Sequence, residues 1–139
     1  MKRIRNPIKV HWGDCDPQDI VNYPNYFYWF DRSTQKLFHA CGMQWRRMWE
    51  EFDLDGVPLV DARAKFLAPI RHEDEIELET WIEKFGNTTF VVRHDIIKDG
   101  KVVIEAQETR VWVEADESSE TGIKAARVPD GIRRIFEDD

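Results

Sequence analysis

The spacing of apolar residues changes from helical to alternating along the chain. From Pro24 to Ala40, Phe27, Phe30, Thr34 and Leu37 recur at spacings of three or four residues and form a largely apolar stripe. This spacing predicts a long amphipathic helix. Proline suits the first turn of that helix, because the N–H that it lacks would have no partner there.

The rest of the sequence predicts mainly strands. A first strand is expected over 7–13, with Ile8, Val10 and Trp12 on one face, and Asp99-Gly100 is a strong signal for a two-residue hairpin. The other expected features are a helix stop at Gly42, a short helix over about 44–52, strands over about 58–68, 74–85, 88–98 and 101–114, a polar loop over 116–122 and a terminal helix starting near Pro129.

This order of elements predicts an α+β fold in a single domain, 1–139. Consecutive strands joined by short turns must be antiparallel, and such a sheet buries one face. The long helix is the one element that we expect to cover that face. A sheet of about five strands wrapped around one central helix is the hotdog arrangement. Periodicity does not give the strand order.

Composition and charge narrow the class of protein. The 139 residues carry 20 basic and 27 acidic side chains, for a formal charge of −7. This balance argues against nucleic-acid binding, which needs a basic face, but leaves room for a small phosphate ligand. No apolar stretch is long enough for a membrane span, and no signal peptide is expected. With only two cysteines, the sequence predicts a cytoplasmic protein without a disulfide framework.

Carboxylates cluster in a loop directly before the long helix. Asp14, Asp16 and Asp19 precede Pro24 within a short polar segment. A helix start offers unpaired N–H groups and partial positive charge, which can polarise a carbonyl and hold an oxyanion. A nearby carboxylate can attack that carbonyl or activate a water. The pattern is thus suited to acyl transfer, although aspartates in this position are often simply helix caps.

A longer signature surrounds this loop and continues into the helix. It comprises Gly13-Asp14-Cys15-Asp16-Pro17, Ile20-Val21, Tyr23-Pro24-Asn25-Tyr26, Trp29 and Asp31, with weaker similarities at Cys41-Gly42, Glu79-Thr80 and Phe90-Val91-Val92-Arg93-His94. On these residues the chain resembles the 4-hydroxybenzoyl-CoA thioesterase family of hotdog enzymes. The resemblance implies hydrolysis of an acyl-CoA thioester by a homotetramer built as a dimer of dimers, and no cofactor is expected.

The resemblance also implies roles for individual residues. Asp16 takes the position of the catalytic nucleophile or general base, and the backbone N–H of Tyr23 that of the group polarising the thioester carbonyl. Asp31 takes the position of a carboxylate near the hydroxyl of a hydroxybenzoyl group. Among the aromatic residues of the helix, Tyr26 and Trp29 are expected to contact the acyl group, although most of that cluster is expected to serve the core.

One departure from the family pattern concerns coenzyme A. The family has a run of basic residues for the nucleotide phosphates, whereas this chain has Gly86-Asn87-Thr88-Thr89 after Phe85. Other cations must then bind the phosphates, and the candidates are Lys84, Arg93, Arg71 and Lys65.

Several alternatives remain open at this point. The substrate class extends to short aliphatic acyl-CoA or acyl carrier protein, and a catalytically silent module that binds acyl thioesters is a third possibility. Cys15 is an alternative nucleophile if a neighbouring cation activates it. His94 is expected to make a structural hydrogen bond. The four histidines show no metal-ligand spacing.

Overall fold

Five antiparallel strands form the main sheet of the computed structural model, which describes residues 1–137. Their spatial order is β1-β3-β4-β5-β2, so β1 and β2 are the edges. The strands are β1 (Arg3–Lys9), β2 (Leu59–Phe66), β3 (Glu75–Phe85), β4 (Thr89–Lys98) and β5 (Lys101–Val111). A small second sheet pairs β6 (Val113–Ala115) with β7 (Ile123–Ala125).

Three helices accompany the sheet, namely α1 (Pro24–Ala40), α2 (Trp45–Phe52) and α3 (Asp130–Glu137). The expected bounds of α1 are confirmed. Gly42 has φ +77°, and the N–H of Met43 reaches back to the carbonyl of Phe38 over 2.8 Å, which closes the helix end. Within residues 1–137, none of the helices combines the length and apolar character that a membrane crossing requires.

The expected first strand is wrong in its bounds. β1 starts at Arg3, and Trp12 lies outside it in a single 3₁₀ turn with 78% of its surface exposed. Val10 is the last buried residue before the chain turns. The Asp14 carboxylate accepts the N–H of His11 over 2.9 Å, which fixes that turn and prevents the alternation from continuing.

The predicted hairpin between β4 and β5 is confirmed. Asp99 and Gly100 both adopt positive φ, at 51° and 76°, as a two-residue turn of this hand requires.

The expectation that α1 alone covers the sheet is wrong. One apolar cluster joins Phe38 of α1 and Phe90 of β4 with Met48 of α2 and Phe136 of α3. The two short helices therefore bury apolar stripes against the same sheet. A second cluster lies around the first half of α1, where Phe30 contributes a fully buried ring. Each such side chain stabilises the fold by about 1.5–3 kcal/mol.

Candidate active site

The segment before α1 folds into a tight loop that projects Asp16. Cys15 and Val21 form an antiparallel bridge at its base, and the Asp16 N–H donates to the Ile20 carbonyl over 2.8 Å. Asp19 takes φ +61° to complete the turn, and its side chain is exposed.

Hydrogen bonds fix this loop to the helix start. The Asp14 carbonyl accepts the backbone N–H of Asn22 over 2.8 Å and the side-chain Nδ2–H of Asn25 over 2.9 Å. On its other side, the Val21 N–H donates to the Ile70 carbonyl over 2.8 Å. Asn25 lies in the first turn of α1, so its amide links the loop rigidly to the helix.

The two oxygens of Asp16 have different environments. Oδ1 accepts the N–H groups of Gln18 at 2.8 Å and Ile20 at 3.2 Å, which orients the half-buried carboxylate. Oδ2 has no hydrogen-bond partner among the described residues. Asp16 therefore braces its own loop through one oxygen and does not cap α1, whose N-cap residue is Tyr23. The second oxygen is available for chemistry.

Among the residues that the structure describes, the start of α1 leaves a single donor without a partner. Pro24 has no N–H, and the N–H groups of Asn25 and Tyr26 donate to the carbonyls of Asn22 and Tyr23 at 3.0 and 3.2 Å. The Tyr23 N–H has no partner within residues 1–137. It lies where the partial positive charge of a 17-residue helix is concentrated.

Asp16 and Tyr23 line the same cavity, which we call the Asp16 cavity. Its volume is about 370 Å³, and Tyr26 and Phe66 form part of its wall with ring centroids 5.4 Å apart. Burial, with smaller contributions from Cys15 and Asp16, raises the pKa of Tyr26 to about 12. Tyr26 is therefore a neutral wall residue at physiological pH.

A second cavity lies on the other side of Tyr23, and we call it the Asp31 cavity. It has a volume of about 470 Å³. Phe27 and Asp31 follow Tyr23 at intervals of four residues, so one flank of α1 supplies all three. The residues that line the Asp31 cavity are Tyr23, Pro24, Phe27, Tyr28, Asp31, Leu59, Ala62, Glu108 and Arg110.

Charged groups meet inside this apolar lining. Arg110 Nη2 donates to Asp31 Oδ1 at 2.7 Å and to Glu108 Oε2 at 2.8 Å. Arg110 Nη1 donates to the Val57 carbonyl at 3.1 Å. The Glu108 and Arg110 side chains are 4% and 10% exposed, whereas that of Asp31 is 67% exposed.

A hydrogen-bonded chain continues from Glu108 through the core. His94 Nε2 lies 2.8 Å from Glu108 Oε1, and His94 Nδ1 lies 2.8 Å from Thr80 Oγ1, which is 2.6 Å from Ser33 Oγ. Thr34 donates to Glu108 Oε1 at 2.6 Å. Because a carboxylate only accepts, Nε2 carries the proton and Nδ1 accepts from Thr80. The expected structural hydrogen bond of His94 is confirmed.

Burial and hydrogen bonding determine which groups of this hydrogen-bonded network are charged. Burial lowers the pKa of His94, despite the opposing effect of Glu108, so the ring is neutral at pH 7. Burial alone would raise the pKa of Glu108. The hydrogen bond from His94, the charge of His94 when it is protonated, the charge of Arg110 and the hydrogen bond from Thr34 together outweigh burial and lower the pKa to about 2. This hydrogen-bonded network thus contains one ionised carboxylate, Glu108, which is paired with the guanidinium of Arg110.

The remaining expected site residues lie apart. Trp29 is buried, meets Tyr26 edge-on at 5.5 Å and lines a different cavity beside β1. Arg71 donates to the Gln18 carbonyl at 3.1 Å, next to the Asp16 loop. Arg93 and Lys65 line a shallow cavity together with Arg63 and Glu105, and Lys84 is exposed on β3. Of the four cations proposed for the phosphates, Arg93 and Lys65 therefore share one cavity, whereas Arg71 and Lys84 lie elsewhere.

Cys15 does not resemble an activated nucleophile. Its thiol is half-buried, and burial together with Asp19, Asp14 and Asp16 raises the pKa. A raised pKa reduces the thiolate fraction, which is the reverse of what nucleophilic cysteines need.

Sequence reasoning missed Glu108 and Arg110, although a signal exists. Their positions continue the buried series Ile104 and Ala106 along β5, so they fall on the inward face of a strand. Charged residues at inward positions are rarely without a specific partner.

The comparisons with known proteins identify the class. The sequence profile of the Thioesterase-like superfamily matches residues 10–136, and the chain belongs to this family. The predicted hotdog fold and the predicted thioester hydrolase class are confirmed.

Particular relatives define the similarity further. The 4-hydroxybenzoyl-CoA thioesterase of Pseudomonas sp. strain CBS-3 is 33% identical over 114 residues, covering 78% of this chain and 81% of that enzyme. A solved structure of that enzyme matches with a TM-score of 0.85 at 30% identity, over 97% and 99% of the two chains. A gentisyl-coenzyme A thioesterase structure matches with a TM-score of 0.79 at 27% identity, over 97% and 100%. A 1,4-dihydroxy-2-naphthoyl-CoA hydrolase of Prochlorococcus marinus subsp. pastoris is 23% identical over 133 residues, covering 93% and 85%.

Proposed function

We propose that this protein hydrolyses acyl-CoA thioesters of hydroxylated aromatic acids, with Asp16 and the Tyr23 N–H as its catalytic groups. The observation that carries the proposal is the pairing of a carboxylate oxygen and a backbone N–H, both without partners among residues 1–137, in one cavity at a helix start. The three relatives described above are all named for CoA thioesters of hydroxylated aromatic acids.

The chemistry follows from these two groups. The thioester carbonyl oxygen accepts the Tyr23 N–H, which draws electrons from the carbonyl carbon. Asp16 Oδ2 then attacks that carbon directly, or takes a proton from a water whose oxygen attacks it. The carbon–sulfur bond breaks and coenzyme A leaves as a thiol after gaining a proton. In the direct route a water then hydrolyses the Asp16–acyl anhydride and releases the free acid; in the water route the free acid forms when the carbon–sulfur bond breaks. The Asp31 cavity is suited to the acyl ring because its walls are largely apolar.

Substitution of Asp16 by asparagine tests this proposal. The amide oxygen introduced by Asp16→Asn can still accept the two loop N–H groups, so the fold should persist, while the reactive carboxylate is lost. We expect kcat for 4-hydroxybenzoyl-CoA to fall by about 10²–10⁴-fold in a thiol-release assay. Asp14→Asn is a matched control, since its loop role uses a backbone carbonyl and a turn-bracing carboxylate outside the Asp16 cavity. Undiminished turnover by Asp16→Asn would refute the mechanism.

We also propose that the protein acts as a homotetramer, a dimer of dimers, in the cytoplasm. β2 is an edge strand with exposed apolar side chains at Leu59, Val60 and Phe66, and the exposed Leu67 follows it directly. This apolar edge favours association with a second copy. Leu59 and Phe66 line the two cavities, so association through β2 would enclose them. The unpaired cysteines, Cys15 and Cys41, fit a reducing compartment. Light scattering with Val60→Lys tests the assembly, and an unchanged molar mass would count against β2 as the interface.

A further inference from the structure

Arg110 holds charged groups at the wall of the Asp31 cavity in a way that the fold itself does not require. Its bond to Glu108 already gives each buried charge a partner, which burial demands. Its second bond, to Asp31, joins it to a largely exposed carboxylate and adds little stability. The Asp31 bond is therefore better explained by recognition of a ligand than by folding.

The hydrogen-bond count of Arg110 points the same way. A guanidinium has five N–H donors. Nη2 uses both of its hydrogens on Asp31 and Glu108, and Nη1 uses one on Val57. Among the described residues Nε has no partner, but it is buried and out of reach of a ligand. The second Nη1 hydrogen also has no partner among these residues, and Arg110 lines the cavity together with Asp31. One Nη1 hydrogen is therefore the donor left for a ligand.

The charge balance of the lining limits what can occupy it. Among the residues that line the Asp31 cavity, Asp31 and Glu108 carry two negative charges and Arg110 one positive charge. A hydroxyl can donate to Asp31 and accept from Arg110 without adding charge. A carboxylate brings a negative charge into a lining that is already net negative, and it has no proton for Asp31.

We propose that Arg110 is a specificity-determining residue that, together with Asp31, admits acyl groups bearing a neutral hydroxyl and excludes those bearing a carboxylate. Glu108, His94 and Thr34 are positioning residues for Arg110, since their hydrogen bonds fix Glu108 and thereby the guanidinium plane. The inference rests on the proposed thioesterase function and adds a rule for the substituent on the acyl group.

The test compares kcat/KM for 4-hydroxybenzoyl-, benzoyl- and 4-carboxybenzoyl-CoA. In the unmodified protein we expect the hydroxylated substrate to be preferred over benzoyl-CoA by about tenfold or more, and the carboxylated one to be the poorest. Asp31→Asn removes one negative charge and the strong acceptor. It should reduce the hydroxyl preference about tenfold and raise the ratio of 4-carboxybenzoyl- to benzoyl-CoA turnover by a similar factor.

A second variant and a control separate recognition from structure. Arg110→Lys keeps the positive charge but loses the fork of donors. It should reduce the ratio of kcat/KM for 4-hydroxybenzoyl-CoA to kcat/KM for benzoyl-CoA. Asp61→Asn is the matched control. Asp61 also bonds an arginine, Arg63, at 2.8 Å, and both residues lie on β2 outside the Asp31 cavity. It should leave all three substrate ratios unchanged.

A binding measurement keeps this inference separate from the proposed chemistry. The same three thioesters are titrated against proteins that also carry Asp16→Asn, so their Kd ratios are obtained even without turnover. Failure of the unmodified protein to hydrolyse any of them would refute the proposed function alone. Substrate and Kd ratios that do not respond to Asp31→Asn or Arg110→Lys would overturn the role of Arg110.

Discussion

Replacing Glu108 with glutamine should change how the stability of the protein depends on pH. In the folded protein, the pKa of this carboxyl is lowered from its usual value of 4.5 to about 2, since hydrogen bonds and Arg110 outweigh the effect of burial. A carboxylate with a lowered pKa binds protons less readily in the folded than in the unfolded state. The contribution of Glu108 to the free energy of unfolding is therefore complete above about pH 4.5 and is lost as the pH falls toward 2.

The size of the effect follows from the two pKa values. At about 1.4 kcal/mol per pH unit, the difference between 4.5 and about 2 corresponds to at most about 3 kcal/mol of unfolding free energy, because part of the lowering requires the charge of a protonated His94. At most about 2 kcal/mol of this should be lost between neutral pH and pH 3. No discount for solvent screening applies, because the side chain is only 4% exposed.

The assay is urea unfolding followed by circular dichroism between pH 7 and pH 3. Glu108→Gln should be less stable at pH 7, because Arg110 loses a charged partner, and its stability should fall less steeply below pH 5. Glu105→Gln, from the same strand, controls for the loss of one negative charge and should keep the wild-type slope. Parallel curves for the wild type and Glu108→Gln would refute the assignment of a buried, ionised Glu108. His94, whose pKa burial lowers, adds a loss of stability below about pH 6.5 in both proteins, and this loss is larger in Glu108→Gln because Glu108 opposes the effect of burial on that pKa.

Two further predictions concern α1. Tyr23→Phe should change kcat/KM less than threefold in the thiol-release assay, because the proposed role belongs to the backbone N–H; a loss of orders of magnitude would instead assign a role to the phenol. Phe38→Ala should reduce the unfolding free energy by about 3–5 kcal/mol in urea titrations, since this ring is fully buried and meets Phe90 and Phe136 at centroid distances of 5.8 and 4.8 Å. A loss below about 1 kcal/mol would show that the surrounding rings close the cavity.

The sequence predicted the local parts of the site because short-range rules govern them. Pro24, the apolar spacing and Gly42 define α1 within one stretch of chain, and its bounds agree with the structure. The Asp99-Gly100 turn depends on two residues and was likewise predicted. Where charged side chains interrupted the apolar signal, as at Arg3 and Arg5 in β1, the pattern placed the strand too late.

Long-range contacts decided the rest, because no local spacing encodes them. Arg110 and Asp31 are 79 residues apart and meet only when β5 packs beside the flank of α1. Thr80, His94 and Glu108 come from three strands, whose register determines that their side chains reach one another. The sequence by itself determined the Asp16 loop and the helix that follows it, since both are contiguous in the chain. Only the tertiary structure decided which buried charges adjoin the second cavity, because cross-strand pairing and burial set both their positions and their protonation.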